Sequence, residues 1–321
     1  MNLFEKSFSA VYCTHMMMDA GSFNAISRIR PKEAEQNEML YHGENGIEVK
    51  VAWKEFKAKN EKVPENERAI IFLPGIAARA DGENVGKLAT AFADRSGRRV
   101  YAVTSSSEQI HQPKLGANER DPTHFLSQEA NAISQLIKDK GLTDVTLVGH
   151  SKGGIKAIDI AYNLKTDKSI KIDGLVLLNS LGLYDQSPEV ESYVKQRLAV
   201  PVASNNPDLL ERIRRELKSQ RISDARIAID VDEMSDPNML RKHIEVPVLV
   251  IMSKKDRFSD PARAAEKYGG TWKTSMFRHS SNSKVLVAEE GTHDLPYEHT
   301  SWVVDSALDF LAIKKPSPVW A

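Results

Sequence analysis

Two rhythms of apolar and polar positions run along this chain. Short runs of apolar residues, five or so long, alternate with stretches whose apolar residues recur every three or four positions. The first signal is Met39-Leu40-Tyr41-His42, then Glu44-Asn45-Gly46, then Ile47-Glu48-Val49-Lys50-Val51-Ala52-Trp53. The Asn-Gly pair supplies positive φ and the second arm alternates, so a β-hairpin is predicted. Ala69-Ile70-Ile71-Phe72-Leu73 is apolar without interruption and ends at Pro74-Gly75. A strand with no polar face is one covered on both sides. Residues 99–103, 144–148, 174–178, 246–252 and 284–288 read as strands in the same way.

Helical periods fill the gaps. Residues 84–95 carry Val85, Leu88, Ala89 and Phe92 on one stripe. Asp121-Pro122 opens a helix, with Asp as N-cap and Pro at the first helical position. Phe125, Ala132, Ile133, Leu136 and Ile137 line its inner face, and Gly141 closes it. Another helix carries Ile155, Ile158, Ala161, Tyr162 and Leu164, and one starts at Ser259-Asp260-Pro261 and ends near Gly269. The last, 300–313, turns Val303, Val304, Ala307, Leu308 and Leu311 inward. Strands alternating with helices predict an α/β domain with a mainly parallel central sheet and helices on both faces.

Two intervals break the rhythm. Residues 1–38, with Met16-Met17-Met18, show no clear period and read as an N-terminal extension. Residues 181–245 contain no buried strand but do contain amphipathic segments. In 208–219, Leu209, Leu210, Ile213 and Leu217 fall on one side and Arg212, Arg214 and Arg215 on the other, a solvated face. An interval this long is predicted to be a helical insertion rather than a loop. The expected layout is a core of 39–180 and 246–321 with a cap at 181–245.

Composition narrows the class. The 321 residues suffice for one large domain. Lys+Arg and Asp+Glu both number 44, so nothing pulls the chain toward nucleic acid or an anionic membrane. Cys13 is the only cysteine, which excludes an internal disulfide and suits a reducing compartment. Met1 to Ala20 lacks a basic segment followed by an apolar core, and no apolar run reaches the roughly 18–20 residues of a membrane span. The expectation is a cytoplasmic protein without integral membrane association. No internal repeat or low-complexity tract is present. Gly86-Lys87 is not a phosphate loop, because Asp81 stands where the earlier glycine belongs and Leu88 follows. No Cys/His group has zinc spacing, so no metal or cofactor is implied.

The candidate chemistry lies in Gly149-His150-Ser151-Lys152-Gly153, directly after Asp144-Val145-Thr146-Leu147-Val148 and before Gly154 and a helical period. Glycines two residues either side of the serine permit a turn tight enough to expose its hydroxyl at a strained corner. With its strand–turn–helix context, this Gly-x-Ser-x-Gly segment resembles the nucleophile turn of the α/β-hydrolase family, esterase- and lipase-like branch. The resemblance spans about residues 39–313. It implies the α/β-hydrolase fold with a helical cap and a triad in the chain order serine, acid, histidine.

Carried onto this chain, the resemblance makes Ser151 the nucleophile. His293, in Glu290-Gly291-Thr292-His293-Asp294 after the last strand, is the base. Asp256, after the 246–252 strand, is the acid, with Asp185 in reserve because some relatives place the acid one strand earlier. His150 is expected to pack or orient, and His299 to start a helix. His15, His42, His111, His124, His243 and His279 have no motif around them. Oxyanion donors are expected from the backbone N–H of Lys152 and of Ile76, with Ala77 the alternative, since Pro74 has no N–H where many relatives carry His-Gly. A serine at the nucleophile position argues against the epoxide-hydrolase and haloalkane-dehalogenase branches.

The implied function is hydrolysis of a carboxylic ester through an acyl-enzyme, on a partly apolar small molecule, with the 181–245 insertion as a lid. An acyltransferase or thioesterase on the same residues is the first alternative. A non-catalytic small-molecule-binding protein of this fold is the second.

Overall fold

The computed structural model describes residues 37–43, 47–59, 68–75, 78–109, 123–181, 183, 244–256, 258–259, 261–262, 265, 277 and 279–313. The chain divides into two units, Met1–Gln36 and Asn37–Ala321, and every described residue belongs to the second. The strands are β1 (Asn37–His42), β2 (Ile47–Phe56), β3 (Arg68–Leu73), β4 (Arg99–Gln109), β5 (Asp144–His150), β6 (Lys171–Leu178), β7 (Val248–Ser253) and β8 (Ser283–Ala288). The helices are α1 (Glu83–Ser96), α2 (Thr123–Asp139), α3 (Lys152–Leu164), α4 (Leu295–Glu298) and α5 (Thr300–Phe310). Among the described residues no helix is long and apolar enough to cross a membrane.

All eight strands form one sheet in the order β1-β2-β4-β3-β5-β6-β7-β8. β1 pairs antiparallel with β2 and β2 with β4, while every pair from β4 to β8 is parallel. The unbroken apolar runs have a direct cause. Side chains alternate across a strand, so consecutive residues serve opposite cores. In β3, Ala69, Ile71 and Leu73 join the cluster that contains Ile133 of α2 and Ile158 of α3. Ile70 and Phe72 join the opposite cluster, with Leu88 of α1 and Val304 of α5. β5, β6 and β7 divide in the same way, which is why none of them has a polar face. Full burial of each Ile, Leu or Phe contributes about 1.5–3 kcal/mol.

Several elements differ in extent from the sequence expectation. β4 runs to Gln109, well past Val103, through Thr104-Ser105-Ser106-Ser107-Glu108-Gln109. That polar tail has no apolar period. It is a strand because β2 pairs with it, from Val51 opposite Ser105 to Ile47 opposite Gln109. β7 begins at Val248 and α5 ends at Phe310, both shorter than expected. Gly141 closes α2 at φ 63°, as its position suggested. Tyr162 of α3 stays exposed, with the Lys165 ammonium 3.9 Å from its ring centroid. The Asn45-Gly46 turn, the Asp121-Pro122 start, most of the helix expected from Ser259, and nearly all of 181–245 lie outside the described residues.

Parallel strands end on the same edge of a sheet. The loops after β3, β5, β6, β7 and β8 therefore open together, and ligands of open α/β sheets bind at that edge. The helix behind the β5 loop is anchored by a buried ion pair. Lys156 Nζ of α3 lies 2.6 Å from Glu129 Oε2 of α2 and donates to Ser105 Oγ of β4 at 2.8 Å. Lys156→Met would strand the buried Glu129 carboxylate and is expected to cost about 3 kcal/mol. The double variant Lys156→Met/Glu129→Leu should recover most of that loss in urea denaturation.

Candidate active site

The β5–α3 turn is built with no spare volume. A Cβ on Gly149 would lie 2.4 Å from the Gly153 carbonyl oxygen, and one on Gly153 would lie 1.9 Å from that of Leu73. Both positions require glycine, for close approach of backbone to backbone. Ser151, between them, takes φ 55° and ψ −125°, a conformation that L-residues seldom adopt. Its N–H donates to Leu178 O at 3.1 Å, and its carbonyl accepts from Leu181 N at 3.2 Å and Gly154 N at 3.0 Å. The loop after β3 passes close above it, since a Cβ on Gly75 would come within 2.9 Å of Ser151 Cβ.

Asp256 and His293 converge on that serine from the ends of β7 and β8. His293 Nε2 lies 2.9 Å from Ser151 Oγ, and His293 Nδ1 lies 2.9 and 3.1 Å from the two Asp256 oxygens. A carboxylate can only accept, so Nδ1 carries the proton. Nε2 then presents a lone pair to the hydroxyl. The Asp256 side chain is fully buried. Burial pushes its carboxyl up, but His293, the Ser259 hydroxyl at 2.6 Å and the Phe258 amide at 2.8 Å outweigh it, and the group stays below the usual aspartate range. The acid is thus charged without contact with water.

A second layer lies behind the histidine. His150, adjacent to the serine, points its Nε2 at His293 O, 2.9 Å away. A carbonyl only accepts, so Nε2–H is the donor and Nδ1 faces the Tyr297 hydroxyl at 3.4 Å. Burial, and then the neighbouring His293, depress His150 to about 3, so it is neutral. Burial also raises the Tyr297 phenol well above its ordinary value, so it stays protonated. Glu298 holds the His293 loop from the other side, accepting from the Thr292 amide and hydroxyl, each at 2.7 Å. The Phe258 ring and the imidazole meet in a T-shaped arrangement with centroids 4.8 Å apart.

The structure thus brings together Ser151, Asp256 and His293. Lys152 is the first residue of α3 and is buried. His150, expected to pack or orient, hydrogen-bonds the His293 carbonyl, and His299 sits at the N-cap of α5. Ile76, Ala77 and Asp185 lie outside the described residues. Sequence reasoning missed Ser259, Tyr297, Glu298 and, most consequentially, Asn179. No motif marks any of them, although Glu298 and Tyr297 lie within five residues of His293, which was signal enough to suspect them. Among the described residues, no group of three or more His, Cys, Asp or Glu side chains is placed to hold a metal ion.

Solved structures share this fold at low sequence identity. An esterase from Exiguobacterium antarcticum matches with a TM-score of 0.56 at 16% identity, over 86% of this chain and 100% of its own. A probable hydrolytic enzyme from Pseudomonas aeruginosa PAO1 matches at 0.56 and 16%, over 88% and 95%. An alpha/beta hydrolase from a Medee basin deep-sea metagenome matches at 0.53 and 15%, over 88% and 100%. With the strand order above, these likenesses show that the chain has the α/β-hydrolase fold. No family model and no curated protein sequence matches it.

The neutral, buried His150 has a consequence for stability. Its ordinary value of 6.5 falls to about 3 in the fold. Between these values the unfolded chain binds a proton that the folded chain refuses. Stability is therefore complete above the ordinary value and falls as pH drops toward the lower one. His150→Gln, which keeps an N–H donor, should remove this dependence. The wild-type slope is expected to exceed that of the variant by about 1.4 kcal/mol per pH unit near pH ~5, read by urea denaturation.

Proposed function

We propose that this protein is a serine hydrolase of carboxylic esters acting through an acyl-enzyme. The reading is carried by one observation: His293 Nε2 stands 2.9 Å from Ser151 Oγ while Asp256 holds Nδ1. Serine is a weak nucleophile until a base takes its proton. Ser151 Oγ attacks the substrate carbonyl carbon, and its proton passes to His293 Nε2. Asp256 stabilises the imidazolium without taking the proton itself. The tetrahedral oxyanion accepts hydrogen bonds from the backbone N–H of Lys152 and of Ile76. His293 then protonates the departing alkoxide, and the alcohol leaves an acyl-Ser151. Water, deprotonated by the same histidine, attacks the acyl carbon. The acid departs and the serine is restored.

The substrate is a small ester with an apolar portion. The esterases among proteins of this fold support the reading, as does the filling of all three positions with competent groups. Dry burial of a charged Asp256 supports it further. An acid kept ionised by hydrogen bonds and aimed at one imidazole nitrogen is the arrangement that a base of fixed tautomer needs.

Ser151→Ala removes the nucleophile and almost no packing. It is expected to fold as the wild type does and to lower kcat on a short p-nitrophenyl ester by at least about 10⁴-fold. Asp256→Asn should lower kcat by about 10³- to 10⁴-fold through the wrong histidine tautomer. Retained turnover in Ser151→Ala would rule the mechanism out. Product analysis with an added alcohol or amine would reveal transfer to an acceptor other than water.

A further inference from the structure

The segment after β6 contacts all three strand ends that carry the site. Leu178 O accepts from the Ser151 amide, and Leu181 N donates to the Ser151 carbonyl. Between them sits Asn179, fully buried at φ 41°, with its own amide bonded to Ile251 O of β7 at 2.8 Å. Asparagine is among the few residues that tolerate this conformation. Tolerance alone does not account for its side chain, which makes three further hydrogen bonds. Oδ1 accepts from the Ser253 amide at 2.9 Å, at the start of the turn that ends in Asp256. Nδ2 donates to Thr292 O at 2.8 Å and to His293 O at 3.0 Å. The Ser253 hydroxyl closes the link by donating to Gly291 O.

We propose that Asn179 is the positioning residue that sets the distance between acid and base, by clamping the Asp256 turn and the His293 loop to each other and to the serine strand. The assignment rests on the hydrolase reading above. A carboxamide is the group this position needs. One acceptor must meet the β7 amide while two donor hydrogens meet adjacent carbonyls of the β8 loop, 2.8–3.0 Å away. Aspartate lacks the two donors, and serine or threonine cannot span both sides. His150 and Glu298 also bond the base loop, but neither reaches the acid turn. Ser253 also bonds both, but it is itself held by Asn179, and the Lys255–Glu290 ion pair joins the two segments only at the exposed surface.

The groups facing the His293 imidazole set what a loosened clamp would change. Among the described residues they are the Asp256 carboxylate, the Ser151 hydroxyl, the neutral His150 ring at 5.1 Å, with the Tyr297 phenol beyond it, and the Phe258 ring. Of these only Asp256 is charged in the working state, and its negative charge favours the imidazolium. Loosening the pair therefore weakens the Nδ1–H to Asp256 hydrogen bond.

Asn179→Gly keeps the backbone conformation and deletes the clamp. We expect kcat on a p-nitrophenyl ester to fall about 10- to 100-fold with KM within about twofold. The low-field proton NMR signal of the His293 Nδ1–H to Asp256 bond should shift upfield or broaden. Should Asn179→Gly not fold, Asn179→Ser, which reaches one side but not both, carries the same expectations. An unchanged kcat overturns the proposal. So does a loss of kcat that follows only the folded fraction, with the proton signal unmoved. If the wild type turns over no ester, the hydrolase reading fails, and the proton signal still decides the role of Asn179.

Discussion

The whole site depends on one steric constraint, the absence of room around the turn from β5 to α3. Glycine backbones at 149 and 153 touch each other and the end of β3, which leaves Ser151 with a left-handed φ. Such a conformation costs on the order of 1–3 kcal/mol and persists only where its surroundings over-determine it. Here three backbone hydrogen bonds to Leu178, Leu181 and Gly154 hold the serine from both sides. Each contributes roughly 0.5–1.5 kcal/mol net, enough together to offset the strain. The hydroxyl stands clear of the sheet because the fold leaves the main chain no other course.

Charge around the serine is arranged with equal economy. A buried carboxylate, a neutral buried histidine and a protonated, half-buried tyrosine lie within a few ångströms of one another. Their states differ because their hydrogen bonds differ. Asp256 has three donors aimed at it and keeps its charge. His150 faces a carbonyl, a phenol and another histidine, and burial keeps it neutral. Among the described residues, the charge adjoining the His293 ring is then the Asp256 carboxylate, which would stabilise an imidazolium. A second cation at His150 would oppose proton transfer from the serine, and its depression removes that conflict.

Much of the architecture was legible because it follows from burial. Runs such as Ala69-Ile70-Ile71-Phe72-Leu73 have apolar residues at every position since both sheet faces are covered, and no helix would require that. The Gly149-His150-Ser151-Lys152-Gly153 turn was legible because close packing restricts its residue types. The convergence of Asp256 and His293 on Ser151 was legible by their place after later strands, once the family resemblance supplied the order. What escaped was whatever depends on partners far along the chain. Thr104 to Gln109 form a strand through pairing with β2, not through their own composition. Asn179 reads locally as a turn residue after a strand. Its partners, Ser253, Thr292 and His293, lie 74, 113 and 114 positions away, and no local pattern announces them.

The central claim is that Ser151 is a hydroxyl made nucleophilic by His293 and Asp256. The most direct measurement is intact mass and peptide mapping after treatment with an active-site-directed phosphonate. The account predicts one adduct per chain, on Ser151, and none in a His293→Ala variant. A wild-type protein that stays unmodified, or an adduct on another serine, would contradict it.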